Sequence, residues 1–481
     1  MIQDFDVVVA GCGVAGLSAA VSAAEKGLKV AILERATREE RGGQSRYTEA
    51  YLRMKAMDQV TDDFETHLAE NLGPYNDPDL MNEMSTGRES WSQQTRSLAI
   101  NDTEVIANFA DHVPSTIKWL QGLGVKFDFL PTQFLTKTQP RLLPVGGGWA
   151  LVEALAAAAE KIGVTFFYQT TARKLITDDD GLVLGLQAHQ QGKGALRFSG
   201  KVVLACGGFE GNPQMLTKYM GPRSVYLRPI CKGGFYNRGE GIEMALDIGA
   251  APAGEFGSYH AEPIDPRSGV AEASVFIFPY GILVNKEGKR FVDEAPGTVD
   301  AYYERVTRQI YEQREGIAYV ILDQRVKDIP NYRLAIRTDQ PAIEADSIAA
   351  LATKLEMPAE ILSETLARYN ASCKSSAKYD PLHLDGVATE GLYPPKSNWA
   401  LPIDKGPYIA YPIISANVFT FGGLKITPDG QVVNTDGEPM PNLYAAGEVV
   451  GMYYTNYTGS TSVLKGLVFG RLAAQHIAST K

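Results

Sequence analysis

Cysteine is scarce in this sequence. There are four, Cys12, Cys206, Cys231 and Cys373, and no CxxC pair. That excludes a disulfide framework, a cysteine-held iron–sulfur cluster and a c-type haem carried on the chain, and the spacing fits a reducing compartment. Histidine is also rare, with six residues, and His67, His112, His189, His383 and His476 show no metal-ligand spacing, so no metal is expected. No apolar run approaches the roughly 18 residues of a membrane span, and no basic segment followed by an apolar stretch opens the chain. The expectation is a cytoplasmic protein without a membrane span. Positive charge is in deficit: 46 Lys and Arg against 56 Asp and Glu leave a net charge of −10. A nucleic-acid partner needs a concentrated basic face, so none is expected. Internal repeats and low-complexity linkers are missing too. What remains is a 481-residue chain of ordinary globular composition, 44% hydrophobic and 21% charged, long enough for two or three domains.

The first forty-five residues carry the densest pattern. Val7 to Ala10 is a continuous apolar run, as expected of a strand buried on both faces. Gly11-Cys12-Gly13-Val14-Ala15-Gly16 follows at once, then an Ala-rich helical stretch from Leu17 to Lys26 closed by Gly27, then a second apolar run, Lys29 to Leu33, ending at Glu34. This is a complete βαβ dinucleotide fingerprint in its proper context. Gly11 permits the tight turn, Gly13 lets the backbone approach a pyrophosphate, and Gly16 lets the helix pack on the strand. The helix N-terminus turns its unpaired N–H groups toward the phosphates, and Glu34 is placed to accept from both ribose hydroxyls.

Further segments separate a flavin dinucleotide from a nicotinamide one. Gly42-Gly43-Gln44-Ser45 follows the second strand, where a flavin dinucleotide needs close backbone approach. Lys201 to Phe209 reads as another buried strand ending in a glycine turn at Cys206-Gly207-Gly208, and Asn442 to Glu448 repeats that design before a final helix over about 462–478. These pieces in this order resemble the fumarate reductase/succinate dehydrogenase flavoprotein family, which includes 3-ketosteroid dehydrogenases and tricarballylate dehydrogenase. Its marks here are Ala205-Cys206-Gly207-Gly208-Phe209, Asn237-Arg238-Gly239-Glu240-Gly241, Gly281 to Asn285 with Gly288 to Glu294, and Gly422-Gly423-Leu424-Lys425-Ile426. The segment Arg41 to Thr48, with Arg53-Met54 beyond it, is most similar to the tricarballylate dehydrogenase branch.

The resemblance implies an α/β fold: a Rossmann-like FAD-binding domain, discontinuous in sequence, with an inserted α+β cap domain for the substrate. The expected division is 1–254 and 416–481 for the FAD domain and 255–415 for the cap. The expected cofactor contacts are Gly11, Gly13, Val14, Ala15, Gly16, Glu34, Arg35, Arg41, Gly42, Gly43, Gln44, Ser45, Ala172, Cys206, Gly207, Gly208, Gly447, Glu448, Ser462 and Val463. Thr171-Ala172 would hold the adenine, and the start of the final helix would face the flavin's N1–C2=O edge. Covalently flavinylated relatives carry a His where this chain has Gly42 to Thr48, so FAD is expected without a covalent link. The implied partners are a small-molecule substrate and a separate electron donor or acceptor; a flavoprotein that only relays electrons is the alternative from another class.

For chemistry, the resemblance points to desaturation or reduction of a C–C bond next to a carbonyl or carboxyl group, either tricarballylate dehydrogenase-like or 3-ketosteroid dehydrogenase-like. Such a reaction needs a proton-transfer group and donors for a developing enolate. Fumarate-active members place a His before Gly-Gly, an Arg before the last helix and a proton-donating Arg just past Arg-Phe-Val-Asp-Glu. Here those positions read Val418 to Phe421, Asn456 to Gly459 and Ala295 to Asp300, with no cation in any of them. Losing these forfeits charge-assisted hydrogen bonds worth roughly 1.5–3 kcal/mol each, so fumarate and succinate are poor candidates. Tyr457 resembles the ketone-polarising Tyr of ketosteroid dehydrogenases, whose second Tyr falls at Thr298. Tyr302, Tyr303 and Arg305 lie just beyond, and His260 approximates a substrate-binding His of the cap. Each has a plainer reading: Tyr457 as packing beside Tyr453 and Tyr454, His260 as structural, only one of Tyr302 and Tyr303 facing inward, and Arg305 paired on the cap surface. Cys206 is expected to pack, and Asp62-Asp63 and Asp178 to Asp180 to lie in solvated ends.

Overall fold

Apolar runs such as Val7 to Ala10 and Val30 to Leu33 build the middle of the central sheet of the computed structural model, which describes residues 2–69, 77–130 and 141–480. Five parallel strands lie in the order Pro439–Ala445, Gly194–Leu204, Ile2–Ala10, Val30–Leu33 and Thr165–Phe167. The first strand is central: Val8 stands opposite Ala31 on one side and Val202 on the other. Val7, Val8 and Val9 are fully buried, as a strand covered on both faces requires. Thr170–Thr177 and Val183–Gln190 form an antiparallel hairpin, and Val183–Gln190 pairs onward, antiparallel, with Gly194–Leu204.

The first helix, Val14–Glu25, begins three residues before the apolar pattern places it, because extended Gly13 already serves as its N-cap. The final helix, Ser462–Ser479, runs along it, with Ser18 Oγ donating to the Leu467 carbonyl at 2.7 Å. Gly470 makes that closeness possible, since a Cβ there would stand 2.5 Å from the Ala15 carbonyl oxygen.

A second, mainly antiparallel sheet forms the cap. Its central strand, Tyr408–Thr420, pairs with Tyr259–Ile264, Ile317–Leu322 and Ile343–Ala345, and Ile282–Asn285 pairs with Ile317–Leu322. Helix Val299–Tyr311 lies across Tyr259–Ile264 and Tyr408–Thr420. The long strand runs unbroken through residues 415 and 416, and Arg228–Pro229, from before residue 254, also pairs with it. One continuous backbone thus joins the cap to the site. The Arg290 to Glu294 segment is a clamp inside the cap: Arg290 Nη2 meets Glu294 Oε2 at 2.7 Å with both side chains buried, and Glu294 also accepts from the Leu283 N–H at 2.9 Å. Among the described residues no helix is long and apolar enough to cross a membrane.

Candidate active site

The carboxyl ends of the parallel strands open into a cavity of about 1300 Å³, its solvent mouth included. Open α/β sheets place ligands in this crevice. Gly11 turns the chain at φ +108°, where a Cβ would stand 2.3 Å from the Ala205 carbonyl oxygen. Gly13, Val14 and Ala15 line the cavity, and the Val14 N–H donates to Ser45 Oγ at 3.2 Å, tying the fingerprint to the Gly42 to Ser45 segment. At one end, buried Glu34 accepts from the N–H groups of Cys12 at 2.9 Å and Ala36 at 2.7 Å. Glu34 also lines the cavity, and burial raises its carboxyl above the ordinary range. At the other end stand Val418, Phe419, Ser462, Val463 and Lys465.

Of the expected cofactor contacts, Arg35, Gly42, Gly43, Gln44, Ser45, Ala172, Cys206, Gly207, Gly447 and Glu448 also line this cavity. Three lie elsewhere. Gly16 packs on Gly11, where a Cβ would sit 2.0 Å from its carbonyl oxygen, and Gly208 packs against Glu448 and Thr420. Arg41 turns away and bridges Glu153 at 2.7 Å and Glu160 at 2.9 Å. Arg35 donates to the Tyr236 carbonyl at 2.8 Å and pairs with Glu240. Burial pushes the Cys206 thiol up to about 11.

The residues fit an elongated dinucleotide. A Cβ at Gly11 would destroy the turn, a buried carboxylate, Glu34, lines one end, and the N–H groups of Val463 and Leu464 have no partner among the described residues. Beside the cavity, Gln44 and Asn237 both donate to Glu210 Oε1, and Asn237 also reaches Glu448 Oε2 at 3.2 Å. Burial and the adjacent Glu448 hold Glu210 well above the usual carboxylate range.

Behind Phe419, which lines the far end, three elements meet outside the cavity lining. His260, on the cap strand, is 6% exposed; its Nε2 lies 2.7 Å from Tyr303 Oη, while its Nδ1 is buried and has no hydrogen-bond partner. Its ring stands 4.5 Å from that of Tyr457 and 5.3 Å from that of Phe419. Burial, and then the charge of Arg308, lower the imidazole to about 3, so it is neutral at physiological pH. Arg308 is committed to Glu304 at 3.0 Å and to the Tyr259 carbonyl.

Tyr457 is brought against His260 and Phe419, but its hydroxyl is already used. Oη accepts from the N–H groups of Thr461 at 3.1 Å and Ser462 at 3.2 Å and donates to Ser462 Oγ at 3.1 Å. A phenol has one donor and two acceptor sites, so all three are filled. Its hydroxyl ties down the start of the final helix. Tyr302 packs over Gly297, whose Cβ would lie 2.3 Å from its ring. Arg305 is exposed and makes no ion pair among the described residues. Asp63 is exposed, as expected, and there pairs with buried Arg53.

Sequence reasoning missed Lys465. This buried lysine lines the cavity, donates to the Val450 carbonyl at 2.8 Å, and is pulled down to about 7 by burial. A lone cation in the apolar stretch Ser462 to Gly470 was the available signal. Glu210 and Glu272 were missed too; neither stands at a recognisable spacing.

Residues 6–463 match the family described as FAD binding domain. A vinyl phenol reductase of Lactiplantibacillus plantarum is 26% identical, with 99% of this chain aligned to 97% of that protein. An NADH:fumarate oxidoreductase of Klebsiella pneumoniae is 26% identical over 99% of this chain, which spans only 48% of that relative's length. Among solved structures, a 3-ketosteroid-Δ4-(5α)-dehydrogenase from Rhodococcus jostii RHA1 superposes with a TM-score of 0.69 at 26% identity, covering 99% of this chain and 97% of that one.

Proposed function

This chain belongs to the FAD binding domain family, and from that premise we propose that it is an FAD-dependent oxidoreductase. Its target is a C–C bond conjugated to a neutral polar group, a ketone or a phenol ring, rather than a dicarboxylate. The observation that carries this is His260: a buried, neutral imidazole with one unpartnered nitrogen, walled by Tyr303, Phe419 and Tyr457. An unpaired buried polar atom costs about 1–3 kcal/mol, a cost that a hydrogen-bonding ligand relieves.

Bound FAD supplies the two-electron hydride chemistry. The chain's own residues do the rest. Glu34 and the Gly11 to Ala15 turn hold the adenosine and phosphate end, and the N–H groups of Val463 and Leu464 offer partial positive charge at the opposite end. His260 Nδ1 holds the proton that the substrate carbon gains or loses. Phe419 and Tyr457 exclude water around it, and the aromatic wall suits a flat, uncharged substrate. The vinyl phenol reductase and the ketosteroid dehydrogenase, both covered almost end to end, support that class. Tyr457 as the carbonyl-polarising donor is less supported, because its hydroxyl is saturated by the final helix. In the tricarballylate-like segment, Arg41 is spent on an ion-pair cluster away from the cavity.

FAD is held without a covalent bond, a reading supported by the missing His in Gly42 to Thr48. Electrons are exchanged with a separate donor or acceptor. Anaerobic mixing of holoenzyme, oxidised or reduced, with saturated and unsaturated ketones and phenols tests the reading. At least one pair should bleach or restore the visible flavin band; a flavin indifferent to every pair in both directions would overturn it.

A further inference from the structure

Two arginines stand opposite each other across a short antiparallel contact. Leu52 bridges Leu142, its N–H donating to the Leu142 carbonyl at 2.9 Å, and one step along that register Arg53 is set against Arg141. Opposite residues of such a ribbon share a face, and like charges placed so are destabilising. Arg53 is 7% exposed; Nη2 pairs with Asp63, Nη1 donates to the Gly459 carbonyl at 3.2 Å, and Nε is buried with no hydrogen-bond partner. The guanidinium of half-buried Arg141 makes no hydrogen bond or ion pair among the described residues.

The pair belongs to the surroundings of His260. Arg53 donates its backbone N–H to the Ser460 carbonyl at 2.9 Å, so both of its contacts with the loop before the final helix fall two or three residues past Tyr457, whose ring lies on that of His260. Two residues of chain span at most about 7 Å. Asp300, in the first turn of helix Val299–Tyr311, precedes Tyr303 by three positions, which puts both on one helix face, and its Oδ1 is buried without a partner. Burial, and then the charge of Arg53, hold Arg141 below the ordinary arginine range, while Asp300, Asp63 and Tyr457 act on it in the other direction. An arginine stays charged even so. Asp63 is spent on Arg53, and Asp300 makes no ion pair with either guanidinium among the described residues, so one positive charge is left without a counter-ion.

We propose that Arg53 and Arg141 form an anion subsite that holds a carboxylate on the substrate, a few carbons from the bond that reacts. The proposal rests on the reading of His260 given above and narrows its substrate class: the conjugated end that meets His260 is uncharged, and the charge sits on a tail. A carboxylate accepts from the free fork of Arg141 in the planar, bidentate geometry that a guanidinium favours, and it removes the repulsion between the two arginines as it binds. With Asp63 and Asp300 alongside, a single negative charge suits the place better than a phosphate dianion. The pair lies on other elements than the three dicarboxylate cations that this chain lacks, so it holds an anion from a different side.

Calorimetric titration of oxidised holoenzyme reads the subsite without turnover. The probes are 6-oxohept-4-enoate, an enone whose carboxylate stands two methylenes from the double bond, and its methyl ester. The acid should bind about 10–100-fold tighter than the ester, the scale of one charge-assisted hydrogen bond. Arg141 is the residue to change, because its side chain has no partner in the fold to lose. Arg141→Met should erase the preference and leave ester binding and FAD content as in the parent. Its melting temperature should equal or exceed the parent's, since a like charge opposite Arg53 is gone. Arg141→Lys should keep part of the preference, as a point charge without the planar fork. An acid that binds the parent no tighter than its ester, or a preference that survives Arg141→Met, would overturn the subsite. The reading of His260 fails separately: tight, Arg141-dependent binding of the acid, with a flavin indifferent to every ketone and phenol pair, would sink that reading and leave the subsite standing.

Discussion

Glu34, Tyr457 and His260 each carry a separate expectation at the residue scale. Glu34 accepts from the backbone N–H groups of Cys12 and Ala36 and lines the cavity. Glu34→Ala should weaken FAD by about 1.5–3 kcal/mol, read from the dissociation constant of the refilled apoprotein; unchanged affinity would remove that carboxylate from the cofactor site. Tyr457→Phe deletes a group that satisfies two N–H groups at the start of the final helix, so stability should fall by about 0.5–2 kcal/mol, as for a lost N-cap. A denaturation midpoint equal to the parent's would show the hydroxyl free of the helix. His260 stays neutral in the folded chain down to about 3, while an unfolded imidazole takes a proton near 6.5. Between those values the unfolded state binds more protons, so stability drops as the pH falls through the window. His260→Gln should make the melting temperature less steeply acid-sensitive there; an unaltered slope would place the imidazole in contact with solvent.

At the scale of elements, what was legible in the sequence is what the backbone dictates locally. The glycine spacing from Gly11 to Gly16, the apolar strands and the closing Glu34 are read within one supersecondary unit, and the structure departs in its bounds: the first strand begins at Ile2 and the first helix at Val14. The final helix was equally legible, but its partner was not. Its contact with the first helix joins residues more than four hundred positions apart and depends on Gly470 lying against Ala15. Gly470→Ala should push the two helices apart, costing about 1–3 kcal/mol through overpacking and weakening FAD, whose cradle the first helix opens. Thermal denaturation with and without added FAD measures both effects; a neutral substitution would mean that the helices are less closely packed than described.

The molecule as a whole explains why the reacting end was harder to read than the cofactor end. His260, Tyr303 and Tyr457 come from a cap strand, a cap helix and the loop before the final helix, and only the tertiary fold sets His260 against Tyr303 forty-three residues on. Sequence named these residues as candidates but could not tell that Tyr457 is spent on a helix end, that Arg305 faces solvent, or that Arg308 is held by Glu304. The absent dicarboxylate cations were visible, and what stands around His260 in the fold is an aromatic wall. The most direct measurement is the rate at which anaerobically reduced holoenzyme is reoxidised, in stopped flow, by a vinyl phenol, a conjugated enone and fumarate at equal concentration. A site built for neutral conjugated substrates should return the oxidised flavin band faster with the phenol or the enone than with fumarate, and His260→Gln should slow that step. Fumarate reacting fastest, with no effect of the His260 substitution, would contradict it.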